Sequence, residues 1–176
     1  MRSGYRYDLE PRKMRAGDSG QALVEFAISA TMMLTLVFGI IDFSRAIYIE
    51  ELITNLAGEG SSMASRGTSL PNTAAAVVAA AAPLDLSTNG RVIVSSVFNN
   101  GGKIQLSGQV SQGGLGAASL IGGVIGGPAT LPVTVVPQLN QTVYVTEVYY
   151  KYKSITPIGN LLATILPSQL YDVAYY

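Results

Sequence analysis

FAISATMMLTLVFGII, residues 26–41, decides the fold, because no charge interrupts it. With Ala22, Leu23 and Val24 in front of Glu25, the apolar stretch approaches the ~20 residues a helix needs to cross ~30 Å of hydrocarbon. Residues 1–20 before it carry Arg2, Arg6, Arg12, Lys13 and Arg15 against Asp8, Glu10 and Asp18, with no hydrophobic periodicity. Basic residues favour the cytoplasmic side, so 1–20 reads as a basic cytoplasmic leader and the bulk of the chain as lying across the membrane. A secretory signal would end its apolar region at a small-residue cleavage site. Here the run continues into Ile41, Asp42, Phe43 and Arg45 without one, and the segment is expected to be retained.

Beyond the apolar run, Phe43, Ala46, Ile47, Ile53, Leu56, Ala57, Gly60 and Ala64 recur at three- and four-residue intervals, with Glu50, Glu51, Asn55 and Glu59 on other faces. One helix is therefore predicted over 21–67, spanning a membrane at 22–41 and continuing as an amphipathic stalk at 42–67. From Ala22 to about Arg66 such a helix rises ~65 Å, about twice the hydrocarbon core, so its second half must pack on a head outside the membrane. Gly58, Gly60, Ser61, Ala64 and Ser65 permit close backbone approach there.

Composition excludes several kinds of chemistry. Eleven basic residues balance eleven acidic ones, which leaves no field to collect nucleic acid. The absence of cysteine and histidine removes thiolate metal sites, disulfides, Cys nucleophiles and the usual neutral-pH proton shuttle. No enzyme activity, metal or cofactor is expected. Gly114, Gly116 and Ser119 lack the strand-then-helix setting of a dinucleotide loop, and Gly102-Lys103 is followed by Ile104 where a phosphate loop needs Ser or Thr. Tyr149 and Lys153, four apart on a predicted strand, lie ~13 Å from each other, too far to act together. From Thr68 onward the only charges are Asp85, Arg91, Lys103, Glu147, Lys151, Lys153 and Asp172. Such a surface suits life outside the cytosol or burial against copies of itself.

The segment GQALVEFAISATMMLTLVFGIIDFSRAIYIEELITNLAGEGSSMASRG, residues 20–67, resembles the start of the TadE-type proteins of tight-adherence pilus systems. Shared features are the basic leader, GQALVEF, the apolar helix, the DF-x-R-A element and the small-residue region before the head. VYYKYKSITPIGNLL near the C-terminus is similar to that family's aromatic strand followed by a TP-x-x-x-LL turn. The resemblance implies a type IV pilin-like subunit or pseudopilin. A prepilin peptidase would cut between Gly20 and Gln21, leaving Glu25 at mature position five beside Phe26. The partners implied are that peptidase, the bacterial inner membrane before assembly, and copies of the chain or related pilins joined through the N-terminal helix in an extracellular filament. On physical grounds a carboxylate in a low-dielectric setting favours a cationic partner, and the amino terminus of a neighbouring subunit would serve. Glu25 also fits an interfacial carboxylate reaching for headgroups or capping the helix. Asp42 and Arg45 are expected to form an ion pair on the stalk. The alternative to a filament subunit is a single-pass, membrane-anchored adhesion or accessory domain that does not polymerise.

The head, 68–176, reads as β-rich. Asn72 or Thr73 would cap an alanine-rich helix over 74–82 that stops at Pro83. Residues 91–98 and 103–110 read as a hairpin around Asn99-Asn100-Gly101-Gly102, 131–136 as a short strand between prolines, and 142–153 as a long strand. On that last strand Glu147, Lys151 and Lys153 share one face, and Tyr144, Val148, Tyr150 and Tyr152 the other. The expected fold class is α+β of pilin-like type, a long N-terminal transmembrane and stalk helix packed on a small antiparallel β-sheet head.

Overall fold

The computed structural model describes residues 16–176, and most of the expected leader lies outside them. The chain is α+β, as expected. Helix α1 (Ala16–Ser65) is followed by α2 (Leu70–Ala80), α3 (Leu86–Asn89), β1 (Gly90–Asn100), β2 (Lys103–Gln112), β3 (Thr142–Lys151), α4 (Gly159–Leu162) and β4 (Gln169–Tyr175). The strands form one antiparallel sheet in the order β2-β1-β3-β4.

The β1–β2 hairpin forms at its expected turn. Asn100 pairs with Lys103 across Gly101 and Gly102, whose φ of 60° and 90° are the left-handed values that a two-residue hairpin loop requires. The predicted strand over 131–136 does not form, and the chain there crosses the sheet as irregular backbone. Its prolines remove the N–H groups a ladder would use. In its place β4, which no alternation announced, takes the edge beside β3, with Val148 opposite Asp172. Helix α2 starts at Leu70 rather than after Asn72 or Thr73. Ser69 stands at its N-cap without a side-chain bond, and Pro71 in the first turn needs no hydrogen-bond partner.

The stalk half of α1 and all of α2 lie on one face of the sheet, α1 over β3 and β4 and α2 over β1 and β2. Between helices and sheet, Ile49, Ile53, Leu56, Val77, Val92, Val94 and Val148 form the main core. A second core of Val97, Leu106, Ile121, Val143 and Val145 lies on the other face under the segment 113–141. β3 is thus covered on both sides, which is why its sequence TVYVTEVYYK reads as a nearly continuous run instead of a clean alternation.

The candidate assembly helix and its joint to the head

Along α1 the buried positions are Asp42, Ala46, Ile49, Ile53, Leu56, Ala57, Gly60, Ser61 and Ala64, a seam with steps of three and four. Two residues expected on this seam lie outside it. Phe43 and Ile47 are exposed, as is Tyr48, while Asp42 and Ile49 take the inner positions. The reason lies in what the head offers at that level, which is polar.

Asp42 is 0% exposed. Its carboxylate accepts hydrogen bonds from the hydroxyls of Ser154 and Thr156 and from the backbone N–H of Ile155 at 3.1 Å. Its backbone carbonyl accepts from the Tyr152 hydroxyl at 2.9 Å. Burial raises the Asp42 carboxyl, but these donated bonds outweigh it and hold the group below the ordinary carboxylate range. The expected Asp42–Arg45 ion pair is therefore not what the stalk builds. Arg45 Nη1 donates to the Lys153 carbonyl at 2.7 Å, and its guanidinium lies 5.8 Å from the centre of the Tyr152 ring. Both side chains serve as rivets between α1 and the end of β3, and each is satisfied by the head instead of by the other.

Further up the seam Ser61 makes a second joint. Its Oγ accepts from the Thr146 N–H at 3.0 Å and donates to the Ala174 carbonyl at 2.8 Å, entering the ladder between β3 and β4. The neighbouring Gly60 lets the backbone come that close, because a Cβ there would stand 2.8 Å from the Thr146 methyl and 2.9 Å from that of Val77.

Toward the N-terminus the same helix leaves the head, with only Ala30, Phe38 and Gly39 half-buried between Gly20 and Ile41. None of the residues from Gly20 to Ile41 is buried, and Leu23, Phe26, Ile28, Met32, Met33, Leu36 and Ile40 are all exposed. α1 is long and apolar enough to cross a membrane. Gly20 and Gln21 are ordinary helical positions, and a Cβ on Gly20 would meet nothing within 4 Å, so no packing or turn accounts for the glycine. Glu25 is exposed and accepts one hydrogen bond at 2.9 Å from Gln21 Nε2 a turn earlier; Phe26 beside it is bare. The structure thus brings Gly20, Gln21, Glu25 and Phe26 together at one end of α1 and separates them from Asp42 and Arg45 by the whole apolar segment.

One polar site escaped the sequence reading. Glu147, expected on one strand face with Lys151 and Lys153, is 0% exposed, whereas both lysines are exposed. Ser119 Oγ, the Leu120 N–H at 2.9 Å, Tyr149 OH at 3.0 Å and Tyr171 OH at 3.3 Å all donate to its carboxylate. Burial first, and then the negative charge of Glu147, raises the hydroxyls of Tyr149 and Tyr171 well above the ordinary phenol value. The cluster pins 113–121 onto the sheet. The available signal was Glu147 standing alone inside TVYVTEVYY, a run too apolar for a strand with one face in water.

Residues 20–62 match the family model described as TadE-like protein, the family that the N-terminal segment resembles. No curated protein and no solved structure matches the chain.

Proposed function

We propose, for a chain whose N-terminal segment is TadE-like, that it is a pilin-like structural subunit of a tight-adherence pilus. In this reading α1 holds the subunit in the membrane first and then joins it to copies of itself or related pilins in a filament. The observation that carries the proposal is the distribution of apolar surface on α1. None of residues 20–41 is buried and nearly all are exposed, and the exposed surface continues past Asp42 through Phe43, Ile47 and Tyr48 on the side the head leaves uncovered. An anchor alone needs apolar surface only over the membrane. A helix that must also pack among other helices needs it further up, where Ile47 and Tyr48, ~8 to 9 Å beyond Asp42, provide it.

Glu25 supplies the bias toward assembly. Apolar side chains are as well satisfied by lipid as by each other, so leaving the bilayer requires a polar gain. If a peptidase cuts between Gly20 and Gln21, the new amino group on one subunit can pair with Glu25 of the next, a charge-assisted bond of ~1 to 3 kcal/mol. Gly20 fits a processing role because nothing in the fold requires glycine there.

The experiment is to express Glu25→Gln and Glu51→Gln in the native host, shear the cells and quantify the protein in sheared and membrane fractions. Glu25→Gln should insert normally and be depleted from the sheared fraction, whereas Glu51→Gln should match the wild type. Equal recovery of Glu25→Gln and wild type would refute the assembly role. Absence of the wild type itself from the sheared fraction would favour a membrane-resident adhesion domain.

A further inference from the structure

We propose that the β3–β4 connection, residues 154–168, is a foot by which the head rests in the headgroup layer of the lipid bilayer beside α1. The inference rests on the reading of 22–41 as the membrane span and goes beyond it, because it gives the head its own contact with lipid.

The position follows from the strand directions. Thr146 on β3 meets Ser61, and Tyr152 just past its end meets Asp42, so β3 runs back along α1 toward the bare apolar segment. β4 then runs away again, its Ala174 returning to the level of Ser61. The connection between them is therefore at the end of the head nearest the span, where Ser154, Ile155 and Thr156 hold the Asp42 carboxylate. Depth follows from helix geometry. Ala22 to Ile41 rises ~30 Å, the thickness of the hydrocarbon core, which puts Asp42 at its edge. Whatever grips Asp42 lies in the headgroup layer, ~5 to 7 Å deep on each side.

The chemistry of the connection suits that layer. Residues 154–171 contain no charge. Ile155, Leu161 and Ile165 are 63%, 75% and 66% exposed, three large aliphatic side chains that the head leaves bare. Lys151 and Lys153, both exposed, stand at its entrance, able to lie along an apolar surface and reach anionic headgroups. Apolar side chains bordered by lysines are the pattern of a segment that lies in the interface plane. The occupant is the bilayer because this patch lies at the end of the head nearest the exposed apolar surface of α1, held there by the buried Asp42, and because the exposed charges at its entrance, Lys151 and Lys153, are positive.

The chain has no cysteine, so single cysteines report without background. The full chain would carry an environment-sensitive fluorophore at Leu161→Cys, Ile165→Cys, Met32→Cys or Leu139→Cys, in vesicles of phosphatidylcholine with phosphatidylglycerol. Met32 marks the span. Leu139 is as exposed as Ile165 but lies beside Asn140, which bonds to Asn99 at the opposite end of the sheet. Spin-labelled lipids quenching at headgroup depth should quench Leu161 and Ile165 several-fold more than Leu139, and replacing Lys151 and Lys153 with Glu should shrink that difference. Met32 quenched from the deep position while Leu161 and Ile165 match Leu139 would overturn the foot and leave the anchor standing. Met32 escaping deep quenching would overturn both. A blue shift at Leu161 that grows with protein density but ignores the lipid quenchers would show that another copy covers the patch, and would overturn the proposal as well.

Discussion

Single residues carry the two joints that fix α1 to the head, and both are polar atoms surrounded by apolar helix. Asp42 is the sharper case, since removing its carboxylate strands the Ile155 N–H and two hydroxyls that have turned toward it. Asp42→Ala should lower unfolding free energy by about 2 to 4 kcal/mol, hydrogen bonds to a charged group being worth about 1.5 to 3 each before the hydroxyls find other partners. The pH dependence has a definite sign. Folding lowers the Asp42 carboxyl, so its contribution is complete above its ordinary value of 3.8 and is lost as pH falls below that toward the folded value. The gap between the denaturant midpoints of wild type and Asp42→Ala should therefore hold at neutral pH and begin to narrow as pH falls below 3.8. A gap that stays constant would assign the loss to packing instead of charge. From the sequence, Asp42 and Arg45 were legible as polar residues worth singling out, but as partners of each other. Proximity along a helix suggested the pair; Ser154, Ile155 and Thr156, more than a hundred positions away, supplied better donors.

At the scale of elements, the contact between stalk and sheet depends on where α1 has no side chain. Gly58 and Gly60 are two residues apart in the same helix and look alike in sequence, yet a Cβ on Gly58 would meet nothing within 4 Å while one on Gly60 would strike Thr146 and Val77. Both neighbours are buried and have nowhere to go. Gly60→Ala should thus destabilise by about 1 to 3 kcal/mol through overpacking, in spite of its better helix propensity. Gly58→Ala should gain up to about 1 kcal/mol, since only propensity changes. Thermal unfolding of the two variants checks the pair, and equal shifts would mean the stalk does not seat as closely as described. The same scale shows why β4 was missed and a strand over 131–136 was expected. QLYDVAY has no polar–apolar alternation, because one face meets the α1 stalk and the other the Tyr149–Glu147 cluster, leaving most of its residues half-buried on both sides. Residues 131–136 have the β-branched composition of a strand, but they lie over an already completed sheet.

For the whole molecule, the far face of the sheet is held by a buried carboxylate in a ring of neutral donors, and this gives the head an alkaline weak point. Tyr149 and Tyr171, their rings 4.7 Å apart, are kept protonated by burial and by Glu147. A hydroxyl whose value is raised in the folded state contributes fully below the ordinary phenol value of about 10 and loses that contribution as pH rises through the folded value. Stability should fall steeply above pH ~10, with part of the phenolate absorbance appearing only on unfolding, and Tyr171→Phe should flatten the fall. An alkaline titration in which all tyrosines ionise together before unfolding would contradict it. By itself the sequence determined the long helix, its division into a bare apolar half and a packed half, the β1–β2 hairpin and the TadE-like segment, because each is written in local periodicity, turn chemistry or a contiguous motif. Tertiary structure alone decided which way the stalk faces, that Asp42 belongs to the β3–β4 connection, and that Glu147 lies inside. Those outcomes depend on donors brought from distant parts of the chain, and burial of a charge is set by whether such donors arrive, which no local pattern records.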